Sequence, residues 1–423
     1  MTRPLREAHA HLPAYGRSLG FCDLAHANSA DDALVALRRF AEGTTPDGWV
    51  IGLGARPEAW PRSIERPDGW FNAGELAVAV GGRPAAVWCF DHHALCASTA
   101  ALELTGISRD TPDPAHGVIV RRGDGEPTGV LLEHAVQPVW DAVPEPTESE
   151  RVEHLRSACE RLASMGFIEA HDLKSPDWLG PALAELDRAG ELPIRVGLYP
   201  LIPDLDAVAA DRGSWETDRV KLLGGKIFTD GTLNSRTAWM LHPYADPIPE
   251  HPTGTPMVEH EDIDLAVRAA ESHGLHIAAH AIGDGAVRAV LDSIGRTSTT
   301  NRAGHRIEHA ELIDEADVPR FAAMGVVASV QPCHLLPDVE ALKRLVPGRL
   351  DRVLPIRELL DSGATVWFGS DVPIVRPDPG DSILAAVSRR RDDMADSESV
   401  SPSQAISEDE AWAAFAPTTS AFT

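Results

Sequence analysis

Lysine is scarce in this chain of 423 residues, where only Lys174, Lys221, Lys226 and Lys343 stand among 38 basic residues. A lysine inside an apolar run therefore departs from the chain's own habit. Positive charge is short overall, with 38 basic against 64 acidic residues and a formal charge of −26. That balance argues against nucleic acid or an anionic membrane surface as partner, because both would repel the chain. The expected partner is a small-molecule substrate, and the assembly allowed for is a homodimer. Cysteine is also sparse. Cys22, Cys89, Cys96, Cys159 and Cys333 are odd in number and scattered, with neither zinc-finger spacing nor the density of a disulfide scaffold, so a reducing cytoplasm is expected. No uncharged apolar run reaches the roughly 18 residues that could span a bilayer. The opening MTRPLREAHAHLP has no apolar core of a signal peptide.

From about residue 147 helix and strand signals alternate. Thr147 with Glu150 three residues later reads as a capping box, after which Val152, Leu155, Cys159 and Leu162 form one apolar helical face. Strand signals follow at 167–170, 194–199, 222–228, 275–279, 306–308, 326–330 and 365–369, separated by helices over 175–189, 263–273, 285–294, 314–324 and 352–362. Short strands alternating with helices imply parallel pairing, and this many units predicts an α/β fold closed as a distorted (β/α)8 TIM barrel. With a strand running into His9 the candidates number nine, one too many. The odd one, at 85–90, lies in a stretch rich in Pro and Gly. The expected organisation is therefore a barrel of residues 1–42 and 147–423, with 43–146 inserted after the first strand as a lid over the active site. The acidic segment 391–410 reads as a solvated turn and helix.

Catalytic groups of such barrels sit where strands end. Here His9 and His11 close the first strand, His280 closes LHIAAH, His309 closes RIEH and Asp371 follows TVWFG. Residues two apart on an extended strand share a side, so His9 and His11 can grip one divalent ion with neutral imidazoles. An H-x-H pair alone says little in a chain with 18 histidines; its placement beside other strand ends is what makes it informative. Lys226 lies among Leu222, Leu223, Ile227 and Phe228, where an ammonium must reach solvent, pair with Asp230 or Asp371, or be neutralised as a carbamate, an anionic oxygen ligand able to bridge two metals. Asp371 is placed to take a proton from a metal-activated water and deliver it to the leaving group. His280 and His309 would hold the metal, and one of them would polarise the scissile carbonyl.

The motifs AHAHL, GVIVRRGDGEPTGVLLEHA, KIFTDGTLNSRTA, HAIGDGA, HRIEHAELI, ASVQPCH and GSDVPIVRPDP occur in an order that resembles amidohydrolase family 3, the branch of the metal-dependent amidohydrolase superfamily that includes N-substituted formamide deformylase. The resemblance implies a distorted barrel with His9 and His11 as metal ligands from the first strand, a carboxylated Lys226 from the fourth, His280 from the fifth, His309 from the sixth and Asp371 from the eighth. It further implies substrate-side roles for Asp91 and His93 in FDHHALCAS, Arg236 in LNSRTA, and Gln331 and His334 in SVQPCH. His171, ending the second strand, is a further candidate to line the site. Plainer roles stand beside these: Arg236 would pair with Asp230 or cap a loop, and Gln331 would satisfy backbone groups.

The chain departs from the family pattern in three places, one of them His92 in DHHALCAS, where relatives generally have glycine. Relatives carry a small β-sandwich built from both chain ends, which is expected to be missing here, and RPLREA replaces the apolar lead-in to the histidine pair. Arg6 and Glu7 must therefore point outward or find partners. The resulting expectation is hydrolysis of a non-peptide C–N bond in an amide, N-formyl or N-acyl amine or cyclic amide, at one or two Zn2+ ions, with Fe2+ or Mn2+ as alternatives. A barrel that keeps the ligands but serves only to bind a metal or ligand is the second reading. A metal-free glycosidase is disfavoured, because no acidic pair stands at strand ends.

Overall fold

A computed structural model describes all residues except 1–2, 46–47, 65, 67, 91–92, 116, 299–303, 418–421 and 423. Contacts divide the chain into one unit of residues 1–16 and 152–423 and a second of 17–151.

In the first unit, strand β1 (Leu5–Ala10) precedes the whole second unit in sequence. The second unit contains β2 (Cys22–Asp23), β3 (Val50–Ala55), β4 (Ala85–Cys89), β5 (Ala94–Ala97), β6 (Gly117–Arg121) and β7 (Pro127–Glu133). The first unit then resumes with β8 (Phe167–Leu173), β9 (Arg195–Tyr199), β10 (Val220–Leu222), β11 (Gly224–Phe228), β12 (His276–Ala281), β13 (Arg306–His309), β14 (Val327–Val330) and β15 (Val366–Phe368).

The first unit is an α/β fold whose strands form two all-parallel sheets, ordered β1-β8-β9-β10 and β11-β12-β13-β14-β15. Between these strands run helices such as Glu148–Ser164, Leu179–Arg188, His260–Ser272 and Asp284–Thr297. Their apolar faces join the strands' inner residues in one continuous core, the arrangement that buries both faces of a parallel sheet. The Thr147 capping box forms as expected: Thr147 N and Oγ1 each donate to Glu150 at 2.7 Å, and Glu150 N donates back to Thr147 Oγ1 at 3.3 Å. The strand expected at 222–228 is broken at Leu223 into β10 and β11. At the break, a Cβ on Gly224 would stand 2.2 Å from the His276 carbonyl oxygen, so only glycine fits. Isolated parallel bridges link Leu201 to Lys226 and Ala10 to Val372.

The polar lead-in works because its charges find partners. All six residues of β1 are buried. The Arg6 guanidinium lies 4.1 Å from the centre of the Trp367 ring and donates to the carbonyls of Ala416 (2.6 Å) and Ala414 (3.0 Å). Glu7 accepts from His9 N, Ser370 N and Ser370 Oγ, each at 2.9 Å. Burial nevertheless pushes its carboxyl up to about 7.

The second unit begins at residue 17, earlier than the expected boundary at 43, and ends at 151. The helix Ala30–Glu42 starts on Ser29, whose side chain accepts from Asp32 N at 3.0 Å. Its Ala30, Ala33, Leu37 and Ala41 share a core with Val50, Leu76 and Val87, and β2 pairs with β3. Residues 17–42 thus belong to the second unit and not to the first. The strand signal at 85–90, the one in excess among the nine candidates, is β4, inside a six-stranded mixed sheet ordered β2-β3-β4-β5-β7-β6.

Candidate metal centre

His9 lies in β1, His280 in β12 and His309 at the end of β13, while Asp371 follows β15. One ligand atom each from His9, His309 and Asp371 lies within 4.8 Å of the others, and all three residues are buried. His11 Nε2 approaches Asp371 Oδ1 to 2.9 Å and His9 Nε2 approaches it to 3.4 Å. The His280 ring packs edge-on to His309 with centroids 4.5 Å apart, but its Nε2 faces the Gly231 carbonyl at 3.1 Å. His309 and Asp371 hold left-handed backbone conformations, with φ of 68° and 61°. Such geometry in residues other than glycine is costly and concentrates at functional sites.

Burial shapes the electrostatics. It lowers His9 to about 4 and His280 to about 3, and lowers His309 well below its ordinary value with help from His280. The imidazoles are therefore neutral, as metal ligation requires. Burial opposes ionisation of Asp371, yet the surrounding His9, His11 and His309 keep its carboxyl well below the usual range. Lys226 Nζ is buried with no hydrogen-bond partner and no ion pair among the described residues, so the expected pairing with Asp230 or Asp371 does not form. Its amine lies 4.8 Å from the centre of the Phe228 ring, and burial lowers it to about 8. Asp371 Oδ1 likewise lacks an aligned hydrogen-bond donor. Buried atoms left unmet are expensive. The neutral imidazoles of His9 and His309 and the Asp371 carboxylate, gathered around one point, fit a divalent cation, and the buried Lys226 amine interacts electrostatically with Asp371.

Glu308 is absent from the candidates found in the sequence, although it lies next to His309. Its Oε2 stands 2.7 Å from His9 Nδ1, while Oε1 accepts from Arg306 Nε. Burial works against its ionisation, but Arg306 holds the carboxyl well below the usual range. The available signal was R-x-E, which puts two charges on one face of a buried strand, where they must pair.

Asp230 also has a clear structural task. It accepts from the backbone of Trp239 and Gly283 (2.9 Å each) and Ile282 (3.1 Å), tying the loop after β11 to the start of helix Asp284–Thr297.

The other candidates separate. Gln331 is buried, with Nε2 donating to the Ser329 carbonyl at 3.2 Å and lying 3.3 Å from His9 Nδ1, while its Oε1 has no partner. His334 Nε2 donates to the Ser370 carbonyl at 3.1 Å. Arg236 pairs with Asp246 at 3.0 Å, not with Asp230. His171 is buried between Glu169 and Arg306. His93, in the second unit, contacts the Glu133 carboxylate at 3.0 Å, and Asp91 lies outside the described residues. Glu311, two residues beyond His309, is buried with no partner for its carboxyl among the described residues; burial pushes it up to about 8, and Asp338 and Asp230 act in the same direction.

Among the described residues no helix is long and apolar enough to cross a membrane. The putative amidohydrolase YtcJ of Bacillus subtilis (strain 168) is 31% identical over 398 residues, covering 91% of this chain and 72% of its own. N-substituted formamide deformylase of Arthrobacter pascens is 27% identical, covering 96% of this chain and 76% of its own. An uncharacterized metal-dependent hydrolase from Pyrococcus horikoshii OT3 superposes with a TM-score of 0.77 at 26% identity, covering 98% of this chain and 79% of that one. These similarities support a metal-dependent hydrolase. The amidohydrolase family model matches residues 4–421, and the chain belongs to that family.

Proposed function

We propose that the protein hydrolyses a non-peptide C–N bond in a small molecule, an amide, an N-formyl or N-acyl amine or a cyclic amide, at a divalent-metal centre held by His9, His11, Lys226, His280, His309 and Asp371. The observation that carries this reading is the gathering of buried ligand atoms of His9, His309 and Asp371 within 4.8 Å of one another, with the buried Lys226 Nζ left without a hydrogen-bond partner. The scaffold we infer is one distorted (β/α)8 barrel. The Leu201–Lys226 and Ala10–Val372 bridges support it, with β10 and β11 counted as a single interrupted strand.

A bound metal supplies a water of lowered pKa and a Lewis acid for the scissile carbonyl. Asp371, ionised and beside His11, accepts the water's proton and returns it to the leaving nitrogen. The Lys226 amine, lowered to about 8, could add through its uncharged form to the carbon of carbon dioxide with loss of a proton, and the resulting carbamate would supply anionic oxygen to hold the metal. Zinc suits the histidine-rich set, with iron or manganese able to occupy the same ligands. The five cysteines are all buried as thiols, in keeping with a reducing cytoplasm.

The test is Asp371→Asn, assayed by formate release from N-formyl amines with metal content measured in parallel. Activity is expected to be lost. Survival of activity at unchanged metal content would remove Asp371 as the proton carrier.

A further inference from the structure

Arg306 is the hub of a buried polar chain that reaches the metal centre from behind His9. It is fully buried on β13, yet each nitrogen of its guanidinium has an acceptor within reach. Nε donates to Glu308 Oε1, and one terminal nitrogen donates to Ser329 Oγ (2.9 Å) and the Ala8 carbonyl. The other terminal nitrogen faces His171 Nδ1 at 2.7 Å and the Tyr199 hydroxyl at 3.4 Å. Ala8, His171 and Tyr199 stand on β1, β8 and β9, so the side chain reaches from one parallel sheet to the other.

A guanidinium donates at every nitrogen and accepts at none, which fixes the proton on each neighbour. On one side, His171 must offer Nδ1 as a lone pair and carry its proton on Nε2, which stands 3.2 Å from Glu169 Oε1. Glu169 shares that side of β8 and also accepts from Arg195 at 2.8 Å. On the other side, Glu308 accepts from Arg306 through Oε1 and lies with Oε2 2.7 Å from His9 Nδ1. The His9 proton is thereby placed on Nδ1, and Nε2 is left bare toward Asp371.

We propose that His171 is a positioning residue for the metal centre. Its Nδ1 holds the Arg306 guanidinium in the orientation from which Nε reaches Glu308, and through Glu308 it sets the tautomer and the angle of His9. In this role it touches neither metal nor substrate. Without that acceptor one terminal nitrogen of Arg306 would keep only the long contact to Tyr199, and a buried donor left unmet is relieved by turning the guanidinium away from Glu308. The inference rests on the amidohydrolase reading for placing His9 on a metal, while zinc affinity is measured apart from hydrolysis.

The experiment titrates zinc into the full chain against a competing chelator and follows urea unfolding in parallel. His171→Leu removes the acceptor and keeps most of the bulk, whereas His171→Asn puts an amide oxygen near the place of Nδ1. Both variants are expected to lose stability, but His171→Leu is expected to weaken zinc by about tenfold and His171→Asn by less than about threefold. In the Glu308→Gln chain, where the route to His9 is already cut, adding His171→Leu is expected to change zinc affinity by less than about twofold. Unchanged affinity in His171→Leu, equal weakening by Leu and Asn, or an undiminished effect in the Glu308→Gln chain overturns the proposal. Should His171→Leu not fold, nitrogen NMR of the unaltered, zinc-loaded chain decides, with the His171 signals assigned by their loss in His171→Asn. Protons are expected on His171 Nε2 and His9 Nδ1, and a proton on His171 Nδ1 overturns the proposal. Formate release from N-formylbutylamine is measured on the unaltered chain. If none is released while the zinc ranking holds, the hydrolytic reading fails and the role of His171 stands. If formate is released and the ranking is flat, the role of His171 fails and the hydrolytic reading stands.

Discussion

Glu308→Gln changes one atom in the core and should separate two roles of the same side chain. The carboxylate accepts from two sides, from His9 Nδ1 at 2.7 Å and from Arg306 Nε. An amide of the same shape cannot do this, because its oxygen satisfies only one donor and its NH2 must face the other. If the NH2 meets Arg306, two donors confront each other. If it meets His9 Nδ1, the ring must carry its proton on Nε2, the nitrogen that faces Asp371, and can no longer ligate through it. Arg306 would keep bonds to Ser329 Oγ (2.9 Å), His171 Nδ1 (2.7 Å) and the Ala8 carbonyl, but it would lose the carboxylate that neutralises it. Breaking a buried pair in this way costs about 3–5 kcal/mol. Loss of the hydrogen bond that orients a ligating histidine weakens metal binding by about 10–100-fold. Urea unfolding of the metal-free protein measures the first, and zinc titration against a competing chelator measures the second. The double variant Arg306→Met with Glu308→Leu removes both charges and should recover most of the stability, while zinc affinity stays weak. If affinity returned together with stability, Glu308 would support only the fold, and its role in orienting His9 would be refuted.

Replacing Lys226 by Ala should remove one metal equivalent, measured by elemental analysis, with partial recovery on adding a short carboxylic acid that supplies the missing oxygens; full metal content in the variant would take Lys226 out of the centre. Gly369→Ala puts a Cβ 2.6 Å from His9 N and 2.7 Å from Glu7 Oε1, atoms already fixed by a mutual hydrogen bond. Backbone must shift, so stability should fall by about 1–3 kcal/mol in urea unfolding, with weaker zinc binding. A variant unchanged in both would show that the β1–β15 edge is more pliable than its packing implies.

The elements of the first unit were legible because their signals are local. The helix Asp284–Thr297 and strands β12 and β14 arise from apolar spacing and turn residues within a few positions of themselves. The break at Leu223 was not legible, since it depends on the His276 carbonyl and the Tyr199 ring crowding Gly224 from other strands. The same holds for the unit boundary. Helix Ala30–Glu42 carries an ordinary amphipathic pattern that would suit either unit, and only its packing against Val50 and Val87 assigns it.

For the site, the sequence by itself determined which residue types stand at which strand ends, because strand period and punctuation are encoded over short spans. The tertiary structure decided how those residues meet. It brings His9, His309 and Asp371 together across more than 300 residues of chain and leaves Lys226 without a partner. It turns Arg236 to Asp246, and it supplies Glu308 behind His9. It also resolves the suspect first strand, whose Arg6 and Glu7 are buried against Trp367 and Ser370. Whether a buried charge is a fault or a support depends on the partner that long-range folding brings to it, and spacing along the chain does not encode that partner.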